Sequence, residues 1–190
     1  MRVLAISGSL RRDSHNTALL RAAAKRVPAG VELELWDGLK AVPSYDEDDD
    51  HESAPTAVTA LRSAVAGADA VLIATPEYNH SVPGALKNAL DWVSRPIARN
   101  PLRNKPVAVI GASTGIFGAV WAQAELRKVL SAIGARVVDR ELAVGQASER
   151  VGSTVDDQEL LAQLGEVVDE LVAAVHERDA ARSAGQPLAA

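Results

Sequence analysis

Short, unbroken apolar runs alternate along the chain with stretches whose apolar residues recur every three or four positions. The runs are Val3 to Ser7, Val31 to Trp36, Ala70 to Thr75, Pro106 to Gly111, and Val137 with Leu142 to Val144. A parallel strand covered on both faces has no polar side, so each run reads as a central strand. Helical stripes lie between them: Leu19, Leu20, Ala23 and Val27; Val58, Leu61 and Val65; Leu86, Leu90 and Val93; Leu126, Val129, Leu130 and Ile133; and a last one from Leu160 to Val175. This alternation predicts an α/β fold, a five-stranded parallel sheet with helices on both faces. Ser53 before Pro55, and Ser153-Thr154 before Asp156-Asp157, read as helix starts by their capping chemistry. The domain is expected over residues 1–177, and 178–190, with Gly185 and Pro187, as a disordered tail.

Composition narrows the function. A chain of 190 residues is the size of one domain. Twenty Lys and Arg against 25 Asp and Glu leave a net charge of −5, which lacks the field that draws proteins onto phosphate backbones, so no nucleic-acid partner is expected. With no cysteine, thiolate-bound clusters and catalytic thiols are excluded, and redox chemistry requires a bound cofactor. The first residues form neither a signal-peptide core nor a membrane span, which reads as a cytoplasmic protein with no membrane partner. The four histidines have no zinc-ligand spacing, and the acidic run Asp46 to Glu52 lacks the central glycine of a calcium loop.

In an open parallel sheet, ligands bind beyond the carboxyl ends of the strands where strand order reverses. Three loops qualify. The first, Gly8 to Thr17, follows strand one and opens a helix, offering free amides, hydroxyls and the guanidiniums of Arg11 and Arg12 to a phosphate. It holds a single glycine, so neither the Gly-x-Gly-x-x-Gly nor the P-loop pattern is present; the alternative is that Ser14 or Asn16 merely caps the helix. The second, Thr75 to Gly84, is stiffened by two prolines and suits the edge of a planar ring, or is a rigid turn with Tyr78 half buried. The third, Gly111-Ala112-Ser113-Thr114-Gly115, matches the nucleophile elbow of α/β serine hydrolases, with Asp139 and His176 following in order. Against that rival, a triad histidine belongs on a loop after a strand, whereas His176 sits on the last amphipathic helix.

Gly8-Ser9-Leu10-Arg11-x-x-Ser14-x-Asn16 together with Pro76-Glu77-Tyr78-Asn79-x-Ser81-x-Pro83-Gly84-x-Leu86-Lys87-Asn88-Ala89-x-Asp91-Trp92 closely resembles the NADPH-dependent FMN reductase family, which includes quinone, chromate and azo-dye reductases. Lesser echoes are Pro43-x-Tyr45-x-x-Asp48 and Gln123-x-x-Leu126-Arg127. The resemblance runs from Met1 to about Val175 and implies a flavodoxin-like, doubly wound sheet of order 2-1-3-4-5 with FMN at the switch point. It further implies that Ser9, Arg11, Ser14 and Asn16 hold the FMN phosphate, with His15 and Thr17 donating from the backbone. Pro76, Glu77, Tyr78 and Asn79 would line the isoalloxazine, and Ser113, Thr114 and Gly115 would approach its pyrimidine end. In the third loop the family often has two adjacent glycines, where this chain has Ile116-Phe117-Gly118 after Gly115.

The implied activity passes electrons from NADPH or NADH through bound FMN to a small acceptor (quinone, free flavin, azo dye or metal oxyanion) by a ping-pong mechanism, with no catalytic side chain. The different-class alternative is a flavodoxin-type electron carrier that does not turn over NAD(P)H. The Arg-bearing first loop and the scarcity of ring-flanking aromatics favour the reductase. Trp92 and Trp121, each set off its helix's apolar stripe, are expected to form an exposed patch. The resemblance adds a homodimer or homotetramer. If the two tryptophans form that interface, the acidic run Asp46 to Glu52 reaches toward the partner's site.

Overall fold

The computed structural model describes residues 1–51, 53–152 and 154–185. Strands β1 (Arg2–Ser7), β2 (Glu32–Trp36), β3 (Ala70–Thr75), β4 (Pro106–Ala112), β5 (Arg136–Val137) and β6 (Leu142–Val144) form one parallel sheet in the order β2-β1-β3-β4-β5, with β6 also on β4. The expected fifth strand is thus two short pieces on one neighbour. Asp139, Arg140 and Glu141 interrupt it, because three charged residues have no place against a covered sheet.

The helices are α1 (His15–Ala23), α2 (Thr56–Ala66), α3 (Gly84–Val93), α4 (Val120–Ala132), the short α5 (Ala147–Arg150) and α6 (Gln158–Ser183). Strand alternation sorts the core into two layers. Val3, Ala5, Ala70, Leu72, Ala74, Ala108 and Ile110 meet α1 and α6, where Leu19, Leu20, Leu164, Val168 and Leu171 are buried. Leu4, Ile6, Val71, Ile73, Val107 and Val109 face Leu61, Val65, Leu86, Leu90, Leu126 and Leu130 of α2, α3 and α4. The doubly wound, flavodoxin-like architecture follows. Edge strand β2 is only partly covered, which shortens it at Val31.

Capping differs from the sequence expectation at two helices. Pro55 precedes α2 and no side chain caps it, so Ser53 is not its start signal. Asp157 caps α6, its carboxylate accepting from the N–H groups of Glu159 and Leu160 at 3.0 and 3.1 Å. The Leu160 amide first, then Arg150, hold that carboxyl below the ordinary carboxylate range; Ser153 lies outside the described residues. Helix α6 also continues past Arg178, where a disordered tail was expected. Arg178 donates to the Asp69 carbonyl at 2.8 Å and so ties the helix to the start of β3. Residues 186–190, with Pro187, lie outside the described residues. No described helix is long and apolar enough to cross a membrane.

Trp92 corrects a further expectation. Its indole is fully buried, because the loop after β2 folds over it. Nε1 donates to the Pro43 carbonyl at 2.9 Å, and the Tyr45 ring meets the indole edge-on at 4.9 Å. Asn88 holds the same loop, donating to the Pro43 carbonyl and accepting from the Tyr45 N–H, both at 2.7 Å. Arg62 donates to the Trp92 carbonyl and pairs with Asp50 at 2.8 Å, fixing the end of the acidic run; Glu52 is outside the described residues.

Candidate functional site

The carboxyl ends of β1, β3 and β4 deliver the three loops to one place. The parallel register pairs Ser7 with Ala74 and Thr75 with Gly111, and Gly8 N–H donates to the Ala74 carbonyl at 2.8 Å. Between the loops is a cavity of about 270 Å³ lined by Ser9, Arg11, Ser14, His15, Asn16, Pro76, Glu77, Tyr78, Ser113 and Thr114, together with Ala112. Thr17, Asn79 and Gly115 stand outside that lining.

Ser14 is the N-cap of α1, and its Oγ accepts from Thr17 N–H at 3.3 Å. Capping is compatible with ligand binding, since the hydroxyl keeps its own proton to donate. The N–H groups of His15 and Asn16 lie in the first helical turn, which has no carbonyl for them, and they have no acceptor among the described residues. The helix dipole adds partial positive charge there. Arg11 turns back onto the Asp13 carbonyl, leaving further N–H groups of its guanidinium at the rim. Thr17 is differently occupied: its N–H serves the cap, and its hydroxyl donates to Ser7 Oγ at 2.9 Å.

The Asn16 and His15 side chains are held by other parts of the chain. The Asn16 carboxamide donates to the Ala112 carbonyl at 3.0 Å and accepts from Ala112 N–H at 2.9 Å, pinning the first loop to the third. The His15 ring bonds the Val151 carbonyl at 2.7 Å through Nδ1; a carbonyl only accepts, so Nδ1 carries the proton.

The second loop is a tight hairpin. Tyr78 and Ser81 exchange backbone hydrogen bonds, while Asn79 and His80 both take positive φ, at 53° and 59°. Two left-handed residues are what a two-residue hairpin of this kind requires, and Asn tolerates that region better than most. Glu77 does not project freely. Its carboxylate accepts from the N–H groups of Trp121 and Ala122, both at 3.1 Å, capping α4. Glu125 returns the connection by accepting from the Ser81 hydroxyl at 2.6 Å. Loop and helix are thereby one rigid unit, and no sequence motif marked Glu125 as part of it.

The third loop docks backbone to backbone on β6. Ser113 N–H donates to the Val144 carbonyl at 3.1 Å, and Gln146 N–H to the Gly115 carbonyl at 2.9 Å. A Cβ on Gly118, whose φ is +62°, would collide with the backbone of Ala143 and Val144, and one on Gly145 with the Ile116 carbonyl. The Ile116-Phe117-Gly118 extension is therefore accommodated by glycine at both contact points.

The NADPH-dependent FMN reductase family model matches residues 1–149 of this chain. The chain belongs to that family. An NAD(P)H-dependent FMN reductase of Pseudomonas aeruginosa is 48% identical over 130 residues, spanning 68% of this chain and 69% of its own length. A quinone reductase of Escherichia coli K12 is 37% identical over 171 residues, 90% of this chain and 86% of its own. The solved flavoenzyme FerB of Paracoccus denitrificans, an NAD(P)H:(acceptor) oxidoreductase, superposes with a TM-score of 0.84 at 35% identity, covering 93% of this chain and 98% of its own.

The geometry of this family member gives the serine-hydrolase reading no support. Ser113 is absent from the residues with positive φ, so the strained elbow is not formed. Its Oγ meets the Gly115 carbonyl at 3.4 Å, and no described hydrogen bond joins it to Asp139 or His176. His176 is exposed on α6.

Proposed function

We propose that this protein is an FMN-dependent oxidoreductase that takes electrons from NADPH or NADH and passes them to a small acceptor by ping-pong turnover. The observation that carries the reading is the corner where Ser9, Arg11, the Ser14 hydroxyl and the unpartnered N–H groups of His15 and Asn16 converge beside a rigid second loop. Those donors fit a phosphate monoester at a helix N-terminus. The quinone reductase name of the Escherichia coli relative supports quinones as acceptors.

When bound, FMN supplies two-electron transfer between the nicotinamide and the acceptor. The chain's own work is binding and orientation. Ser9, Arg11, Ser14 and the first-turn amides would grip the phosphate. Pro76 to Asn79 would border the ring, with the Glu77 carboxylate holding their loop on α4. Ser113, Thr114 and Gly115 offer hydroxyls and amides to the pyrimidine edge, fixed dipoles of the kind that stabilise charge gathered there during reduction. Donor and acceptor would share this one site in turn, which is why ping-pong kinetics are expected.

Arg11→Ala should weaken FMN binding by about 1.5–3 kcal/mol, the range of a charge-assisted hydrogen bond. A fluorescence titration of apoprotein reads this directly, and unchanged affinity removes Arg11 from the site. Ser113→Ala should keep measurable reductase activity.

A second copy of the chain is proposed to cover the outer face of the third loop. Ile116 and Trp121 are 70% and 42% exposed, and Phe117 and Tyr78 are exposed as well. The Phe117 and Trp121 rings meet edge-on at 5.0 Å, and His80 meets Trp121 at 4.6 Å, so the patch is ordered and apolar. Trp121→Ala should shift sedimentation toward monomer; a variant that stays fully assembled counts against this interface.

A further inference from the structure

We propose that Gln123 is a positioning residue for the flavin, setting through the Gly118 carbonyl where the third loop presents its amides to the ring's pyrimidine edge. The inference rests on the FMN reading above. Gln123 lies on α4 in the stretch Gln123-x-x-Leu126-Arg127, where Leu126 is part of the core. A carboxamide only 3% exposed, one turn before that leucine, has a different task.

The carboxamide meets both ends of the third loop. At the loop's end, Nε2 donates to the Gly118 carbonyl at 3.0 Å. At its start, a Cβ on Gly111 would come within 2.9 Å of the same Nε2, so glycine there makes room for the carboxamide. Gly118 and Ala119, which join the loop to α4, are both left-handed, at φ 62° and 63°. That region is unfavourable for alanine, and such a turn persists only where its surroundings hold it. Gln123 supplies two of the holds: its side chain on the Gly118 carbonyl, and its backbone N–H on the Ala119 carbonyl at 3.0 Å.

The other half of the carboxamide argues against a merely stabilising part. Oε1 is buried and has no partner among the described residues, which costs stability. An unbranched apolar side chain of similar length, such as Met, would fill the place without that orphan oxygen and would lose only the bond to Gly118. What Met cannot do is fix the Gly118 carbonyl, and with it the placement of the loop. The loop carries the donors: the N–H groups of Thr114 and Gly115 have no acceptor among the described residues. Fixed amides aimed at an edge that gathers negative charge favour the reduced ring over the oxidised one. Gln123 thereby acts on the reduction potential of bound flavin through the loop.

The test is the midpoint potential of FMN bound to the full chain, measured in the wild type, Gln123→Met and Gln123→Glu. Both variants should retain FMN, since the residues assigned to the phosphate are unchanged. Gln123→Met should favour reduced over oxidised FMN about tenfold less than the wild type, a fall of about 30 mV for a two-electron couple. In Gln123→Glu the buried carboxyl donates to Gly118 only while it is protonated. Its potential should therefore match the wild type at low pH and fall below the wild type measured at the same pH as the carboxyl ionises. A Gln123→Met potential equal to or above that of the wild type would overturn the inference. Equal weakening of oxidised and reduced FMN, the mark of a purely structural residue, leaves the potential unmoved and would overturn it too. Wild-type protein that takes up no FMN would overturn the FMN reading itself, and the inference with it.

Discussion

Trp92→Ala is expected to lower stability to urea by about 3–5 kcal/mol, the cost of emptying a large aromatic site in a close-packed core. The indole has no exposed surface, and three contacts depend on it: the bond to Pro43, the edge-on packing of Tyr45, and the Arg62 guanidinium 5.8 Å from the ring centre. Asn88 still reaches Pro43 in the variant, so the loop after β2 should loosen rather than detach. Because Trp92 faces its own loop and not a neighbour, the oligomeric state below the unfolding transition should be unchanged. A loss under about 1 kcal/mol would mean that the loop does not cover the indole in solution.

The second large effect is expected at Asn16. Replacing it with Ala removes both hydrogen bonds to Ala112 and leaves a buried N–H and a buried carbonyl without partners. At about 1–3 kcal/mol for each unsatisfied group, with partial relief from entering water, a loss of about 2–4 kcal/mol is expected. FMN affinity should fall as well, although the Asn16 carboxamide is spent on Ala112, because the first and third loops lose the tie that sets their separation. Denaturant titration and flavin titration on one variant measure both. Full stability with weakened FMN binding would instead indicate that the carboxamide touches the cofactor.

Strands β1, β3 and β4 were legible because each is covered on both faces, leaving a continuous apolar run. Where burial is partial or the run is broken by charge, at β2 and at the divided fifth strand, the boundaries shifted. Helix α6 outran its expected end because the contact that holds it, Arg178 on Asp69, joins residues far apart in the chain. The burial of Trp92 departs from expectation for the same kind of reason: a residue at the margin of a helical stripe is inside or outside according to what a distant loop does. At the site, the three loops and most of their residues could be placed from the motifs, but side-chain direction could not. Asn16 and Glu77 are polar residues in the right loops whose functional groups are committed to backbone amides, of Ala112 in one case and of Trp121 and Ala122 in the other. A large part of the second motif is likewise scaffold, with Leu86 in the core and Asn88 and Trp92 clamping the loop after β2.

Rapid mixing of the FMN-loaded protein with NADPH under anaerobic conditions tests the proposed reductase most directly, since a reductase and an electron carrier of the same fold differ in this step. Fast, stoichiometric bleaching of the oxidised-flavin absorbance, followed by its full return when a quinone is added, is the predicted result. Flavin that stays oxidised with both NADPH and NADH, yet bleaches with a chemical reductant, would contradict it and leave an electron carrier in its place.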